Sequence, residues 1–84
     1  MEFKKSQEIY EEGLNYIPGG VNSPVRAFKS VSTSPTFIKR GYGSKIEDED
    51  GNVYIDFIGS WGPAILGHGN EELLDGIEDV IRDG

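Results

Sequence analysis

An 84-residue chain without cysteine has room for at most one small domain and no disulfide to stabilise it. Its net charge of −7 argues against binding to nucleic acid or to an anionic membrane, since both need a basic protein surface. A hydrophobic fraction of 36% and 12 glycines predict a marginal or incomplete fold. The sequence shows no signal-peptide or membrane-spanning pattern, which favours a cytoplasmic protein.

The N-terminal segment, residues 1–17, carries a helical pattern. Its apolar side chains recur at spacings of seven, four and three, which predicts a helix over residues 3–17; they are Phe3, Tyr10, Leu14 and Ile17. The Pro-Gly-Gly sequence that follows should end this helix. Residues 18–35 hold three of the four prolines and no acidic side chain, and we expect a loop there.

Residues 36–58 have the pattern of a β-meander. Two candidate strands, 36–40 and 44–48, flank a glycine-rich turn at 41–43, and the Asp50-Gly51 pair indicates a tight hairpin before a third strand. Alternate positions of that third strand are apolar and predict one apolar face, made of Val53, Ile55 and Phe57.

The last part of the chain combines an apolar loop with a helical pattern. Residues 59–69 carry no formal charge and contain the only tryptophan. Asn70 is a suitable N-cap for a helix over 70–84, whose apolar positions repeat at helical spacing: Leu73, Leu74, Ile77, Val80 and Ile81. The predicted fold class is therefore α+β, with a helix, a loop, a three-stranded antiparallel meander, an apolar loop and a C-terminal helix. Little of the chain remains to cover the apolar loop, which favours a fragment of a longer protein.

Common catalytic and cofactor-binding motifs are incomplete in this sequence. Two Gly-X-Gly sequences, at 41–43 and 67–69, lack the third glycine of a dinucleotide fingerprint, and no Gly-Lys-Ser/Thr phosphate loop is present. Residues 48–51 lack the preceding acidic residue of a calcium loop, and Ser60 lacks the upstream glycine of a nucleophile elbow. The single histidine, His68, is a poor basis for a metal site, and we expect it to have a structural role.

Two residues are candidates for a binding site. Arg26 lies among small and apolar neighbours, where a guanidinium favours a planar anion such as a carboxylate. The alternative is an ordinary surface arginine, or one paired with a carboxylate of the protein. Trp61, between Ser60 and Gly62, could cover a small ligand or cofactor with its ring, or pack in a core or interface as most tryptophans do.

Two sequence blocks resemble a known family. Residues 17–28 (IPGGVNSPVRAF) closely resemble the start of glutamate-1-semialdehyde aminomutases. Residues 48–63 (DEDGNVYIDFIGSWGP) and 65–68 (ILGH) resemble the next block, which recurs in looser form across the class III aminotransferases. The first block is the more specific of the two, and the resemblance extends over nearly the whole chain.

The resemblance implies the N-terminal segment of a fold-type-I enzyme that depends on pyridoxal 5′-phosphate and works as a homodimer. Such enzymes convert glutamate 1-semialdehyde to 5-aminolevulinate, the precursor of tetrapyrroles such as porphyrins, with the cofactor as electron sink. By match to the motif, Arg26 would bind the substrate carboxylate with help from Ser23. Trp61 would line the substrate pocket near the cofactor, which makes residues 59–69 an active-site loop and 18–35 a substrate-binding loop.

Length is the main departure from that family, whose members are several times longer. Their catalytic lysine lies far beyond Gly84, and none of the five lysines here matches it, so we expect the 84-residue chain to be inactive by itself. The family's contacts to the cofactor also lie mainly beyond this segment. Two alternatives stay open: a class III aminotransferase with another substrate, and a stand-alone, non-catalytic binding module.

Overall fold

The computed structural model describes all 84 residues and confirms the α+β order of elements predicted from the sequence. Helix α1 is followed by two short 3-10 turns, Pro18–Gly20 and Pro24–Ala27, and then by three strands and two helices. The bounds are Lys4–Gly13 for α1, Ile38–Tyr42 for β1, Lys45–Asp48 for β2, Val53–Ile55 for β3, Glu71–Leu74 for α2 and Ile77–Asp83 for α3.

Helix α1 is shorter than the predicted helix over 3–17. It ends at Gly13, and the next residues form a tighter turn in which the amide of Tyr16 donates to the carbonyl of Gly13 at 3.1 Å. Ile17 is already extended (φ −125°, ψ 126°), because the residue before a proline is forced out of the helical region. A Cβ at Gly13 would lie 3.0 Å from the carbonyl oxygen of Gly20, so glycine lets the following loop approach the helix closely.

The three strands form an antiparallel sheet in the order β1-β2-β3, as predicted. The predicted turn at 41–43 is misplaced: β1 extends to Tyr42, which pairs with Lys45, and the reversal falls on Gly43 and Ser44. The third strand ends at Ile55, earlier than expected. It ends there because the carboxylate of Asp56 accepts hydrogen bonds from the amides of Ile58 and Gly59 and turns the chain.

A group of polar residues ties α1 to the hairpin between β2 and β3. The carboxylate of Asp50 accepts the amides of Lys5 (2.7 Å) and Ser6 (2.9 Å), and so caps α1 from a distant part of the chain. The hydroxyl of Ser6 in turn accepts the amide of Phe37 at 3.0 Å. We call this group the polar clamp; its members are Ser6, Asp48, Asp50, Asn52 and Tyr54.

Asp48 is the fully buried centre of the polar clamp. Its carboxylate accepts the amides of Asp50 and Asn52, the side-chain amide of Asn52 and the hydroxyl of Tyr54, which lies 2.7 Å away. Burial raises the pKa of Asp48, but these hydrogen bonds outweigh it and hold that pKa below its usual value. Burial and the bond to Asp48 raise the pKa of Tyr54 to about 12, so its hydroxyl remains a donor near neutral pH.

The C-terminal part differs from the single helix predicted over 70–84. Asn70 caps α2 as expected, with its side-chain oxygen 3.2 Å from the amide of Leu73. The chain then leaves the helical conformation at Asp75, and Gly76 has a positive φ of 80° before α3 begins. Glycine adopts this left-handed conformation without a steric penalty, which explains why a continuous apolar period is divided into two helices.

Most apolar side chains of this chain are exposed. Only 5 of 84 residues are buried, and Ala27 is the only buried residue classed as hydrophobic. The predicted apolar face of β3 is open to solvent, and Tyr54 on the opposite face is the better covered residue. The radius of gyration is 15.6 Å, against about 12 Å for a compact domain of this length. The chain thus presents an open surface, with its densest hydrogen bonding in the polar clamp.

None of the helices has the length and apolar character needed to cross a membrane.

Candidate functional site

A cavity of about 430 Å³ opens between the two 3-10 turns and the segment that leads into β1. Its walls are largely apolar, and its only ionisable group is the guanidinium of Arg26. The lining residues are Ile17, Gly20, Val21, Asn22, Arg26, Phe28, Pro35, Thr36, Phe37 and Ile38. One cation among apolar walls suits a small anionic ligand with a hydrocarbon part.

The second 3-10 turn places Arg26 at this cavity. Pro24 begins the turn with a favourable φ, and the amide of Arg26 donates to the carbonyl of Ser23 at 3.0 Å. Ala27 is buried and anchors the turn, while Phe28 closes it in the left-handed region at φ 54°. The side chain of Arg26 donates from Nη1 to Oδ1 of Asn22 at 2.6 Å.

Arg26 differs from the other two arginines in its charge environment. Arg40 forms an ion pair with Glu47 at 2.6 Å and lies 5.3 Å from the ring centre of Tyr42. Arg82 lies 3.8 Å from Glu78. Arg26 forms no ion pair with a carboxylate of this chain; its side-chain hydrogen bond goes to a neutral amide. The guanidinium therefore keeps its positive charge uncompensated at the cavity.

Ser23 lies next to this cavity rather than in its wall. It lines a second cavity of about 490 Å³, which also contains Pro18, Gly19 and Lys29. Asn22 borders both cavities, and the backbone of Ser23 is bonded to Arg26. The structure thus brings the predicted substrate-binding residues Ser23 and Arg26 into one turn but directs them to adjacent spaces.

Trp61 is not brought into either cavity. Its side chain is 89% exposed, and its backbone has a positive φ of 67° in a turn closed by bonds from Gly62 and Ala64 to the carbonyl of Gly59. Residues 1–84 therefore do not assemble Arg26 and Trp61 into one pocket.

His68 joins the apolar loop to the sheet. Its Nε2 lies 2.6 Å from Oδ2 of Asp56, and its backbone exchanges two hydrogen bonds of 2.8 Å with Gly43. The bond from His68, together with the amides of Gly59 and Ile58, lowers the pKa of Asp56. A Cβ on Gly41 would lie 2.6 Å from Cγ of His68, so the ring packs directly on the glycine backbone.

Asn22 was not singled out from the sequence, and the structure places its side-chain oxygen 2.6 Å from Nη1 of Arg26. The signal available was weak: an amide side chain four residues before the arginine, with Pro24 between them. Spacing alone does not distinguish such a pair from two unrelated loop residues, because the contact depends on the 3-10 turn.

Comparison with known proteins identifies the family. Residues 27–84 match the family model described as aminotransferase class-III. The chain belongs to the class-III aminotransferase family. Over all 84 residues it is 60% identical to the glutamate-1-semialdehyde 2,1-aminomutase of Clostridium novyi (strain NT), and it covers 19% of that protein. It is 55% identical over 84 residues to the protein of the same name from Alkaliphilus metalliredigens (strain QYMF), again covering 19%.

Solved structures of a transaminase and of an aminomutase share the conformation of this segment. A transaminase with PLP bound superposes with a TM-score of 0.83 at 30% identity, with 100% of this chain and 19% of that chain covered. A glutamate-1-semialdehyde aminomutase from Pseudomonas aeruginosa PAO1 gives 0.79 at 25% identity, with coverage of 96% and 18%. The chain spans about a fifth of the length of these relatives.

Proposed function

We propose that residues 1–84 are the substrate-carboxylate-binding N-terminal segment of a glutamate-1-semialdehyde 2,1-aminomutase, an isomerase that makes 5-aminolevulinate for porphyrin biosynthesis. The observation that carries this proposal is the uncompensated guanidinium of Arg26 in a largely apolar cavity. Curated relatives of that name, 52–60% identical over nearly all of the chain, support it. The class-III match begins only at residue 27, so residues 1–26, which include Arg26, lie outside the part that the general family pattern covers.

The chemistry of the proposed substrate fits this cavity. Glutamate 1-semialdehyde has one free carboxylate at the end of a short hydrocarbon chain, and a guanidinium can give such a group two parallel hydrogen bonds. The apolar part of the cavity wall suits the hydrocarbon part of such a substrate. In our proposal Arg26 holds the carboxylate and Ser23 assists from the start of the same turn. Trp61 closes the substrate pocket near the cofactor once the rest of the protein is present.

Pyridoxal 5′-phosphate enters the proposal through the family and through relatives described with PLP or PMP bound. The cofactor supplies the electron sink for amino-group transfer, and it needs a lysine for its imine and a partner for the pyridine nitrogen. No cavity of this chain combines a lysine with an acidic side chain, and all five lysines are exposed. This supports our proposal that the cofactor is held mainly by residues in the remainder of the protein.

The low burial of the chain supports a segment of a larger enzyme over a stand-alone binding module. Exposed apolar side chains are found on one face of β3, in the loop that contains Trp61 and on both C-terminal helices. We also propose the homodimer that the sequence resemblance implies, and the cytoplasmic location expected from the sequence pattern. Sedimentation or light scattering of the chimera described next would test the oligomeric state.

A chimeric enzyme tests the proposed function. Residues 1–84 replace the aligned segment of the 60% identical Clostridium novyi relative, which aligns over the full length of this chain. We expect the chimera to convert glutamate 1-semialdehyde to 5-aminolevulinate without an external amino donor. A requirement for an external donor would instead support a class-III aminotransferase with another substrate.

Arg26→Ala in the chimera tests the residue that carries the proposal. Loss of a charge-assisted bond to the carboxylate should raise KM about 30-fold or more. Arg82→Ala is the matched control, because Arg82 is an exposed arginine outside the cavity. Unchanged KM in the Arg26 variant would remove Arg26 from the site.

A further inference from the structure

The hydrogen bond between Asn22 and Arg26 fixes one end of the guanidinium. Nη1 of Arg26 lies 2.6 Å from Oδ1 of Asn22. A guanidinium has only donors, so the amide oxygen of Asn22, and not its NH2 group, must face it. Both side chains line the same cavity, so the contact is made at the wall where a ligand would enter.

Backbone geometry makes this contact specific. The amide of Arg26 donates to the carbonyl of Ser23, and Pro24 fixes the backbone between the two side chains. Buried Ala27 holds the turn against the rest of the loop. Arg26 is thus held at two points: its backbone amide bonds to Ser23 and its guanidinium bonds to Asn22. Together these bonds restrict the rotamers of the long, flexible arginine side chain.

The neutral character of Asn22 matters as much as its position. A carboxylate there would pair with Arg26 as Glu47 pairs with Arg40, and would cancel the charge that an anionic ligand needs. The amide holds Nη1 without cancelling the charge. The other N–H groups of the guanidinium then remain available for two parallel bonds to a carboxylate.

We propose that Asn22 is a positioning residue: it aims the guanidinium of Arg26 at the cavity and leaves it free to bind the substrate carboxylate. This inference rests on the proposed function, because it concerns how the same arginine recognises the substrate. Asn22 acts through Arg26, and it needs no contact of its own with the substrate.

The test is steady-state kinetics of the chimera with Asn22→Ala and Asn22→Asp. We expect Asn22→Ala to raise KM for glutamate 1-semialdehyde about tenfold, the size of effect expected when one such bond is lost, with kcat within about twofold of the parent. Asn22→Asp keeps the shape of the side chain and should raise KM further, because its carboxylate competes for the guanidinium. The matched control is Asn15→Ala, an exposed asparagine outside both cavities, which should leave KM and the melting temperature unchanged.

A double-mutant cycle separates positioning from general damage. In the Arg26→Ala background, Asn22→Ala should have no further effect on KM, since the side chain that it aims is gone. An equal effect with and without Arg26 would overturn the inference, as would an unchanged KM in the single variant. A lower KM would also overturn it, because it would show that the amide competes with the substrate for Arg26.

The parent chimera distinguishes failure of this inference from failure of the proposed function. A parent that is folded, binds pyridoxal phosphate and yet lacks aminomutase activity contradicts the proposed function, and the role of Asn22 falls with it. An active parent whose KM responds to Arg26→Ala but not to either Asn22 variant contradicts the role of Asn22 alone.

Discussion

The polar clamp and the C-terminal stretch, residues 57–84, differ in how far their side chains are satisfied by contacts within the chain. In the clamp, buried Asp48 and the capping carboxylate of Asp50 satisfy backbone and side-chain donors within the chain itself. In the C-terminal stretch, apolar side chains at helical spacing are all exposed, among them Leu73, Leu74, Ile77, Val80 and Ile81. A few hydrogen bonds can satisfy the polar groups of a short chain, whereas apolar side chains are buried only when a second surface packs against them.

The backbone path of this segment matches that of a much longer protein. All of this chain superposes on a transaminase of about five times its length with a TM-score of 0.83. Most large apolar side chains are exposed in this conformation. The contacts that these residues themselves supply to the backbone path are the polar clamp and the pairing of the three strands.

The largest expected effect comes from removing the centre of the clamp. Asp48→Ala leaves the amides of Asp50 and Asn52 and the hydroxyl of Tyr54 without their acceptor. The loss should be about 3 kcal/mol, or about a 100-fold fall in amide-exchange protection across the β2–β3 hairpin. Glu49→Ala is the control, since the side chain of Glu49 makes no hydrogen bond. Equal protection in both variants would show that the clamp does not hold the hairpin.

The next largest effect is expected where the C-terminal stretch packs on the sheet, at the contact between His68 and Gly41. In Gly41→Ala the new Cβ would lie 2.6 Å from Cγ of His68, so the ring must leave Asp56 or the sheet must deform. We expect a loss of about 2 kcal/mol from overpacking, together with faster amide exchange at Gly43 and His68. Ser44→Ala, an exposed neighbour, should change neither. Retention of the imidazole NMR shifts of His68 in the Gly41 variant would contradict this packing.

Acid should weaken the clamp while leaving the C-terminal helices little changed. Burial raises the pKa of Asp50, but bonds from Ser6 and Lys5 outweigh it, so the folded-state pKa values of both Asp48 and Asp50 lie below the usual value. Their stabilisation is therefore complete above about pH 4 and is lost as pH falls through the folded-state values. A pH titration of amide exchange in the hairpin measures this loss, and Asp48→Asn should flatten it. Loss of protection that begins near pH 6 would point to a different group.

The smallest effect is expected in the C-terminal stretch. Val80 is 70% exposed, so Val80→Gln in the 84-residue chain should change the free energy of unfolding by less than about 0.5 kcal/mol. In the chimera the same change should cost more, because we expect the remainder of the enzyme to cover this face. An equal, small effect in both proteins would mean that the face stays exposed and would weaken the contrast between the two regions.

Sequence reasoning located the elements better than their ends. The apolar spacing from Phe3 to Ile17 indicated a helix, but the helix ends at Gly13 and the chain is already extended at Ile17, before Pro18. The apolar alternation at Val53 and Ile55 indicated a strand, but it did not indicate which side of the strand is covered. Tyr54, on the opposite side, is better covered because its hydroxyl bonds to Asp48. The apolar period of 70–84 did not reveal the break at Gly76, which depends on a backbone conformation open to glycine.

In the candidate site, the sequence likewise indicated the important residue but not its contacts. A guanidinium among apolar and proline residues marked Arg26, and the loop sequence carried the family resemblance. The identity of its partner did not follow from the sequence, because the contact with Asn22 exists only when the 3-10 turn brings the two side chains together. The proposed meeting of Arg26 with Trp61 is a prediction that concerns surfaces beyond these residues.

The order of elements, the hairpin at Asp50-Gly51, the N-cap at Asn70 and the family could all be predicted from the sequence, because each depends on neighbouring residues or a contiguous motif. Three features could be seen only in the folded chain: Asp50 caps a helix 45 residues away, Asp48 is fully buried, and His68 packs on Gly41. These contacts join residues far apart in the chain. Local propensity and periodicity carry no information about such pairs, which are selected by which donors and apolar surfaces remain to be satisfied once the backbone has folded.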